Sequence, residues 1–255
     1  MIFYFSATGN SKYVAERIAS AVDDRLIFIR DAIRSRSYQY DVSHETRIGF
    51  VVPTYFQGLP SILTFFLDKL HLTGYKDQYV YLVLTCGETT GDAAGQMAKR
   101  LKSKGITLSA QFGVPMVDNY VPMFQIPEDT VIEETLDRAE DYIDDAARAI
   151  RALGIGDYNR CQGKAPAVRT AAAYPLYAHG RATKPFLVTD ECIKCGLCQE
   201  ICPCGAITLF SGKPAWTKPR CVLCMGCLHR CPTKAIHWKS ADEEQGRYYN
   251  PRVEP

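Results

Sequence analysis

Along the first 150 residues, apolar positions recur with two different periods, and the two periods alternate. Short, largely apolar runs at residues 2–5, 26–29, 48–52, 79–85 and 106–114 predict strands. Between them apolar residues return every three or four positions. Tyr13, Val14, Ile18 and Val22 lie on or near one stripe, which predicts a helix over 11–22. Further helices are predicted over 62–70, over 93–104 (closed by Gly105) and over 128–150. The last carries Ile132, Leu136, Ala139, Ile143, Ala147 and Ile150 along one face. It opens with Glu128 and Asp129, where the helix dipole favours negative charge. Apolar strands alternating with helices describe an α/β fold, a parallel sheet covered on both faces with right-handed crossovers.

After residue 153 the pattern changes. Residues 154–163 read as a linker and 165–178 as a connecting helix, so 154–183 joins two units. Residues 184–240 are rich in cysteine, and 241–255 form a polar C-terminal tail. The cysteine-rich unit contains a repeat: residues 192–207 align without gaps to 221–236. The copies share their cysteines and then the proline, alanine and isoleucine of Cys202-Pro203, Ala206, Ile207 and Cys231-Pro232, Ala235, Ile236.

Each copy reads C-x-x-C-x-x-C-x-x-x-C-P, the run by which bacterial ferredoxins hold iron–sulfur clusters. Three thiolates spaced by two residues wrap three corners of a cubane on one tight loop. The fourth leads away and reaches the other cluster, and the proline suits a first helical turn. Two [4Fe–4S] clusters are therefore expected, one on Cys192, Cys195, Cys198 and Cys231, the other on Cys221, Cys224, Cys227 and Cys202. A zinc ribbon would use two C-x-x-C pairs, which this pattern does not fit. Residues 184–240 resemble the small α+β, two-[4Fe–4S] bacterial-type ferredoxin domain. Cys204 is an extra cysteine beside a ligand, expected to be a small residue at a variable position.

Composition sharpens this picture. Hydrophobic residues make up 47% of the 255, ample for a core, and net charge is only +2. The first 153 residues carry an excess of Asp and Glu, whereas residues 184–240 carry an excess of Lys and Arg. Eight thiolates around two clusters would offset that basic excess; the alternative is a docking face for an acidic partner. Eleven cysteines would suit a secreted disulfide scaffold. Against that, Met1 opens directly into a strand with no leader expected, and most cysteines sit in two tight groups, so a reducing cytoplasm is expected. The longest apolar run, from Tyr79 to Cys86, is too short for a membrane span. Basic residues lack the aromatic interleaving of a nucleic-acid groove. The five histidines are scattered, and His229, inside the second cysteine run, is expected at the surface.

Residues 6–11, Ser6-Ala7-Thr8-Gly9-Asn10-Ser11, fall between the first strand and the first helix. Hydroxyls, a flexible glycine and N–H groups at a helix N-terminus make a site for a dianionic phosphate. Neither the P-loop lysine nor a G-x-G-x-x-G is present. This segment resembles the FMN-phosphate loop of flavodoxins. That resemblance implies a doubly wound, five-stranded parallel sheet of order 2-1-3-4-5 over residues 1–153, with FMN at the switch between strands 1 and 3. Ser6, Thr8, Gly9, Asn10 and Ser11 would then hold the phosphate. Pro53, Thr54, Tyr55 and Phe56 would form a second flavin loop, with Tyr55 or Phe56 stacked on the ring or simply packed in the loop. Thr85, Cys86 and Gly87 would form a third loop, Cys86 being expected as a small buried residue. Asn119 and Tyr120 would cover the flavin, face the cysteine-rich unit or simply pack in the loop.

As a whole the chain is similar to flavodoxin–ferredoxin fusion proteins (EFR-type ferredoxins) over residues 1–240. The resemblance implies electron transfer between the clusters and FMN, with a redox partner protein and an acceptor that the sequence does not name. Two alternatives stay open: a ferredoxin-type carrier whose flavodoxin-like half binds no flavin, and an FMN-dependent reductase of a small organic acceptor.

Overall fold

The computed structural model describes residues 1–239 and 245–254. In chain order its first elements are β1 (Ile2–Tyr4), α1 (Asn10–Val22), β2 (Leu26–Phe28), α2 (Ile29–Arg34), β3 (Gln39–Asp41), β4 (Arg47–Pro53), α3 (Ser61–Lys69), β5 (His71–Thr73) and β6 (Tyr79–Cys86). Then come α4 (Ala93–Lys102), β7 (Ala110–Pro115), α5 (Asp129–Arg151), β8 (Gly156–Asp157) and α6 (Pro166–Gly180). The central sheet runs β2-β1-β4-β6-β7-β8, with every neighbouring pair parallel. Its first five strands keep the expected order. The sixth, β8, is a two-residue edge that the linker adds beside β7, so the sheet is six-stranded rather than five-stranded.

Alternation along β6 shows how the sheet is covered. Tyr79, Tyr81 and Val83 enter one core with Val14, Ile18, Leu136 and Ile143 of α1 and α5. Val80, Leu82 and Leu84 enter the other with Leu63, Phe66, Met97 and Leu101 of α3 and α4. All eight residues of β6 are buried, as a strand with helices on both faces requires. The fifth strand starts later than expected, at Ala110, because residues 106–109 approach the sheet as a loop. The parallel pair β3–β5 and the short α2 lie outside the periodic pattern and were not expected.

The cysteine-rich unit comprises β9 (Phe186–Val188), α7 (Leu197–Ile201), β10 (Ile207–Phe210), β11 (Lys213–Trp216), α8 (Gly226–His229) and β12 (Ile236–Trp238). β9 pairs with β12 and β10 with β11, both antiparallel. Its core takes in Tyr177 of α6 and Val121 of the segment after β7. The first unit and the second therefore share packed side chains. Among the described residues, no helix is long and apolar enough to cross a membrane.

The polar tail expected over 241–255 differs from what is built. Residues 241–244 and 255 lie outside the described residues. From Gln245 onward the chain is a strap laid on the first unit. Tyr248 and Asn250 are buried, at 3% and 0% exposure, and Arg252 forms ion pairs with Glu133, Asp137 and Glu140 of α5. The strap is held by polar contacts and by one ring, Tyr248, packed in the α1–α5 core, and a single apolar position leaves no hydrophobic period in the sequence.

Candidate functional site

A cavity of about 870 Å³ opens at the carboxyl ends of β1, β4, β6 and β7. That edge is where open parallel sheets place their ligand, at the switch in strand order. Ser6, Thr8, Asn10, Ser11, Pro53, Thr54, Tyr55, Phe56, Thr85, Cys86 and Gly87 all line it. The three loops expected around a flavin thus surround one space.

The first loop is shaped by Gly9 at φ +92°, a left-handed conformation that costs an L side chain strain. A Cβ there would also lie 2.8 Å from the Asn250 Cβ of the strap. The Gly9 N–H donates to Ser6 Oγ at 3.1 Å. Asn10 Oδ1 accepts from the Tyr248 hydroxyl at 2.6 Å and from Asn250 Nδ2 at 3.2 Å, and Asn10 Nδ2 donates to Val117 O. Ser11 Oγ and Thr85 Oγ1 lie 2.7 Å apart. Several side chains expected to hold a phosphate therefore fix the loop instead. What the loop offers an anion is the N–H groups of the first turn of α1, which no intrahelical carbonyl takes. These features fit a phosphate monoester.

The second loop turns at Phe56 and Gln57, both left-handed at φ 50° and 62°, with Tyr55 and Gly58 exchanging backbone hydrogen bonds. Phe56 stacks on Tyr177 (centroids 5.9 Å apart, planes at 24°) and meets the Tyr120 edge at 5.4 Å. Tyr55 meets Tyr177 edge-on at 5.8 Å. Burial, with the Cys224 and Cys221 thiols nearby, pushes the Tyr55 phenol well above its ordinary range.

Helix α6 laces the two units together. The Tyr177 hydroxyl accepts from the Ser61 N–H at 3.0 Å and donates to Val222 O at 3.0 Å. Tyr174 donates to Leu59 O and Thr170 to Gln57 O, each at 2.7 Å.

Behind the first loop lies the second cysteine run. Leu223, Cys224 and Met225 line the same cavity as Ser6 and Ala7. A Cβ on Gly226 would sit 3.4 Å from both the Cβ and the carbonyl oxygen of Ala7. Asn119 spans the junction: its Nδ2 donates to Thr8 Oγ1 at 2.8 Å and its carbonyl meets His229 Nε2 at 2.8 Å. His229 Nδ1 accepts from the Tyr248 N–H at 3.1 Å, so the imidazole carries its proton on Nε2. His229 is thus buried rather than at the surface, because loop and strap close over it.

The two cysteine runs have matching backbones. Lys194 and Leu223 are left-handed at φ 62° and 53°, Gly196 and Met225 at 82° and 55°, Gly205 and Lys234 at 55° and 56°. Alternating hands turn successive N–H groups inward, a nest for an anionic group. Cys192, Cys195, Cys198 and Cys231 ring one small pocket. Cys224 has Cys202 and Cys221 as near neighbours, and Cys227 has these three and Cys198. Sulfurs accept from backbone, Ala206 N–H to Cys202 at 3.2 Å and Leu223 N–H to Cys221 at 3.3 Å. Burial pushes the Cys198 and Cys221 thiols up to about 11 and Cys224 to about 12, so thiolates here need the positive charge that iron brings. Among the described residues, no three His, Cys, Asp or Glu side chains converge on one ion position. Ligands of a cubane each take a different iron, and the arrangement fits that group. Cys204 Sγ lies 3.9 Å from Cys202 Sγ, a further thiol at the edge of the second set.

Two family models match separate stretches of the chain. The flavodoxin domain family model matches residues 1–135, and the 4Fe-4S dicluster domain model matches residues 191–236. An uncharacterized ferredoxin of Methanocaldococcus jannaschii is 43% identical over 67 residues, 26% of this chain and 44% of its own length. The methylamine utilization ferredoxin-type protein of Paracoccus denitrificans is 34% identical over 114 residues, 38% of this chain and 47% of its own. The chain therefore spans less than half the length of either curated relative. Among solved structures, the Trp repressor binding protein from Bacillus subtilis aligns at TM-score 0.40 and 17% identity, over 59% of this chain and 96% of its own. The two-electron reduced Megasphaera elsdenii flavodoxin aligns at TM-score 0.34 and 19% identity, over 58% and 100%.

Proposed function

We propose, on the premise that this chain belongs to the flavodoxin domain family and continues into a 4Fe-4S dicluster domain, that it transfers electrons between two [4Fe–4S] clusters and a bound FMN. One observation carries the reading: Cys224 of the second cysteine run and the three flavodoxin-type loops are walls of a single cavity. When bound, the clusters supply one-electron and the flavin one- or two-electron chemistry.

The residues define three stations. Cys192, Cys195, Cys198 and Cys231 would hold the outer cluster; Cys195 is exposed, and Ile193 beside it is 62% exposed. Cys221, Cys224, Cys227 and Cys202 would hold the inner cluster, against Tyr55 and the first loop. The N-terminal turn of α1 would hold the FMN phosphate, and the loops at Tyr55 and Cys86 would flank the ring. Exposed Ile193 and Phe210, with Lys194 and Lys213 nearby, suit a redox partner protein that docks at the outer station. Residues 1–153 form the flavin unit, 154–183 the lacing segment and 184–240 the cluster unit. The strap completes the flavin unit from the far end of the chain.

A second reading, reduction of a small organic acceptor, is favoured by the cavity's extent. It runs beyond the three loops to Met123, Phe124 and Leu176, which keep apolar surface exposed and leave room beside the ring. Anaerobic purification with iron, sulfide and flavin assay tests the main reading. About eight irons and one FMN per chain are expected. The same iron without flavin, even after added FMN, would leave a ferredoxin-type carrier on an empty scaffold. Flavin reduction at an unchanged rate after loss of the clusters would sink the relay. Turnover of a quinone by the loaded protein would establish the second reading.

A further inference from the structure

Cys86 and Cys161 stand apart from the cluster cysteines, yet they meet. On β6, Val80, Leu82 and Leu84 face the α3–α4 side, and Cys86 continues that set. On β7, Phe112 and Val114 face the opposite side, which leaves Gly113 facing the same way as Cys86. The linker crosses the sheet there: a Cβ on Gly113 would fall 2.9 Å from the Cys161 Cβ and 2.1 Å from Asn159 Oδ1. Only glycine admits this approach.

Cys161 is then pinned to the loop that Cys86 begins. Its N–H donates to Asn159 Oδ1 at 2.9 Å, its carbonyl accepts from the Thr90 N–H at 2.8 Å, and Asn159 Nδ2 donates to Thr90 Oγ1 at 2.8 Å. The neighbouring Cys161 side chain and burial push the Cys86 thiol up, while the Cys86 side chain draws Cys161 down; Cys86 Sγ also lies 4.0 Å from Val114 O. Both are buried, but Cys86 lines the cavity.

We propose that Cys86 and Cys161 form a reversible dithiol–disulfide site in the wall of the flavin cavity, oxidised by small disulfides that enter it. Cys86 gives up its proton to water in the cavity. Cys86 Sγ attacks one sulfur of the small disulfide, whose S–S bond breaks, and the released thiolate takes a proton from Cys161. Cys161 Sγ then attacks Cys86 Sγ, forming the intrachain bond and expelling the second thiolate, which takes up the remaining proton. Two protein thiols become one disulfide and one small disulfide becomes two thiols; excess small thiol reverses the exchange. Closure ties the third flavin loop to the linker and stiffens one wall of the cavity. The site needs no flavin to form.

The test uses the full chain, kept anaerobic with its iron retained, equilibrated across ratios of 2-mercaptoethanol to 2-hydroxyethyl disulfide. Acid quenching, alkylation and peptide mass spectrometry follow. The Cys86 and Cys161 peptides are expected to lose label together, to appear as one cross-linked pair, and to follow a two-electron dependence on the ratio. In Cys161→Ser the exchange stops at a mixed disulfide on Cys86. Full labelling of both cysteines at the most oxidising ratio, with iron unchanged, would overturn the proposal, as would linkage of Cys86 to Cys204 instead.

Discussion

Gly226 of the second cysteine run faces Ala7 of the first flavodoxin-type loop so closely that an added Cβ would sit 3.4 Å from both the Cβ and the carbonyl oxygen of Ala7 and 3.8 Å from Cys224 Sγ. Gly226→Ala should therefore be tolerated, whereas Gly226→Leu should drive the loops apart. With iron and flavin loaded, the leucine variant should keep its iron and show slower flavin reduction in rapid mixing. An unchanged rate would separate the two stations functionally despite their contact.

Cys202 and Cys204 give a ligand test at one corner. Cys202→Ser should lower iron from about eight to about four per chain, whereas Cys204→Ser should leave it near eight. The reverse result would assign Cys204, 3.9 Å away, as the ligand.

Tyr177→Phe removes one oxygen and strands two groups, the Ser61 N–H and the Val222 carbonyl. Buried groups left without partners cost about 1–3 kcal/mol each. Denaturant unfolding should show a loss in that range or above. Since the same hydroxyl joins the start of α3 to the cysteine-rich unit, proteolysis between the units should also quicken.

His229→Ala should strand the Tyr248 N–H and the Asn119 carbonyl, at a cost of about 2 kcal/mol or more. The strap should loosen with it, and cleavage after Arg247 by trypsin should become faster than in the parent. A strap as resistant as before would mean that Asn250 and Arg252 hold it unaided.

Asp118 supplies a pH signature. Burial chiefly, with Glu88 nearby, raises its carboxyl above the ordinary range, although the Tyr120 and Asn119 N–H groups oppose this. The folded protein thus binds more protons than the unfolded chain between the ordinary carboxylate pKa and the raised one. Stability falls as pH climbs through that window, and the full cost persists above it. Asp118→Asn should be more stable than the parent at neutral pH. The difference should vanish below the ordinary carboxylate range, as thermal melts at several pH values would show.

Much of this was legible in the chain. The cysteine spacing depends on neighbours within a few residues, and the strand–helix alternation on local periods; both survive into the structure. The loop at Ser6 was recognisable for the same reason. What sequence missed is long-range and polar. Asn119, His229 and Tyr248 build one junction from three distant segments, and nothing in a window around any of them marks it. His229 looked like a surface residue because its partners are a carbonyl and an N–H, groups every residue has. The strap looked like a tail because polar contacts and a single buried ring, Tyr248, hold it. β8 escaped notice because two residues carry no period.

Tyr248 and Asn250 both bond to Asn10, across 238 and 240 residues of chain. During synthesis domains form from the N-terminus onward. Here the sheet has its first five strands once residue 115 has emerged, yet the loop at Asn10 lacks its last supports until residue 250 does. The loop at Asn10 is thereby finished only after the cysteine-rich unit has been translated, and a nascent chain stalled in the linker would hold a folded sheet whose first loop still lacks Tyr248 and Asn250.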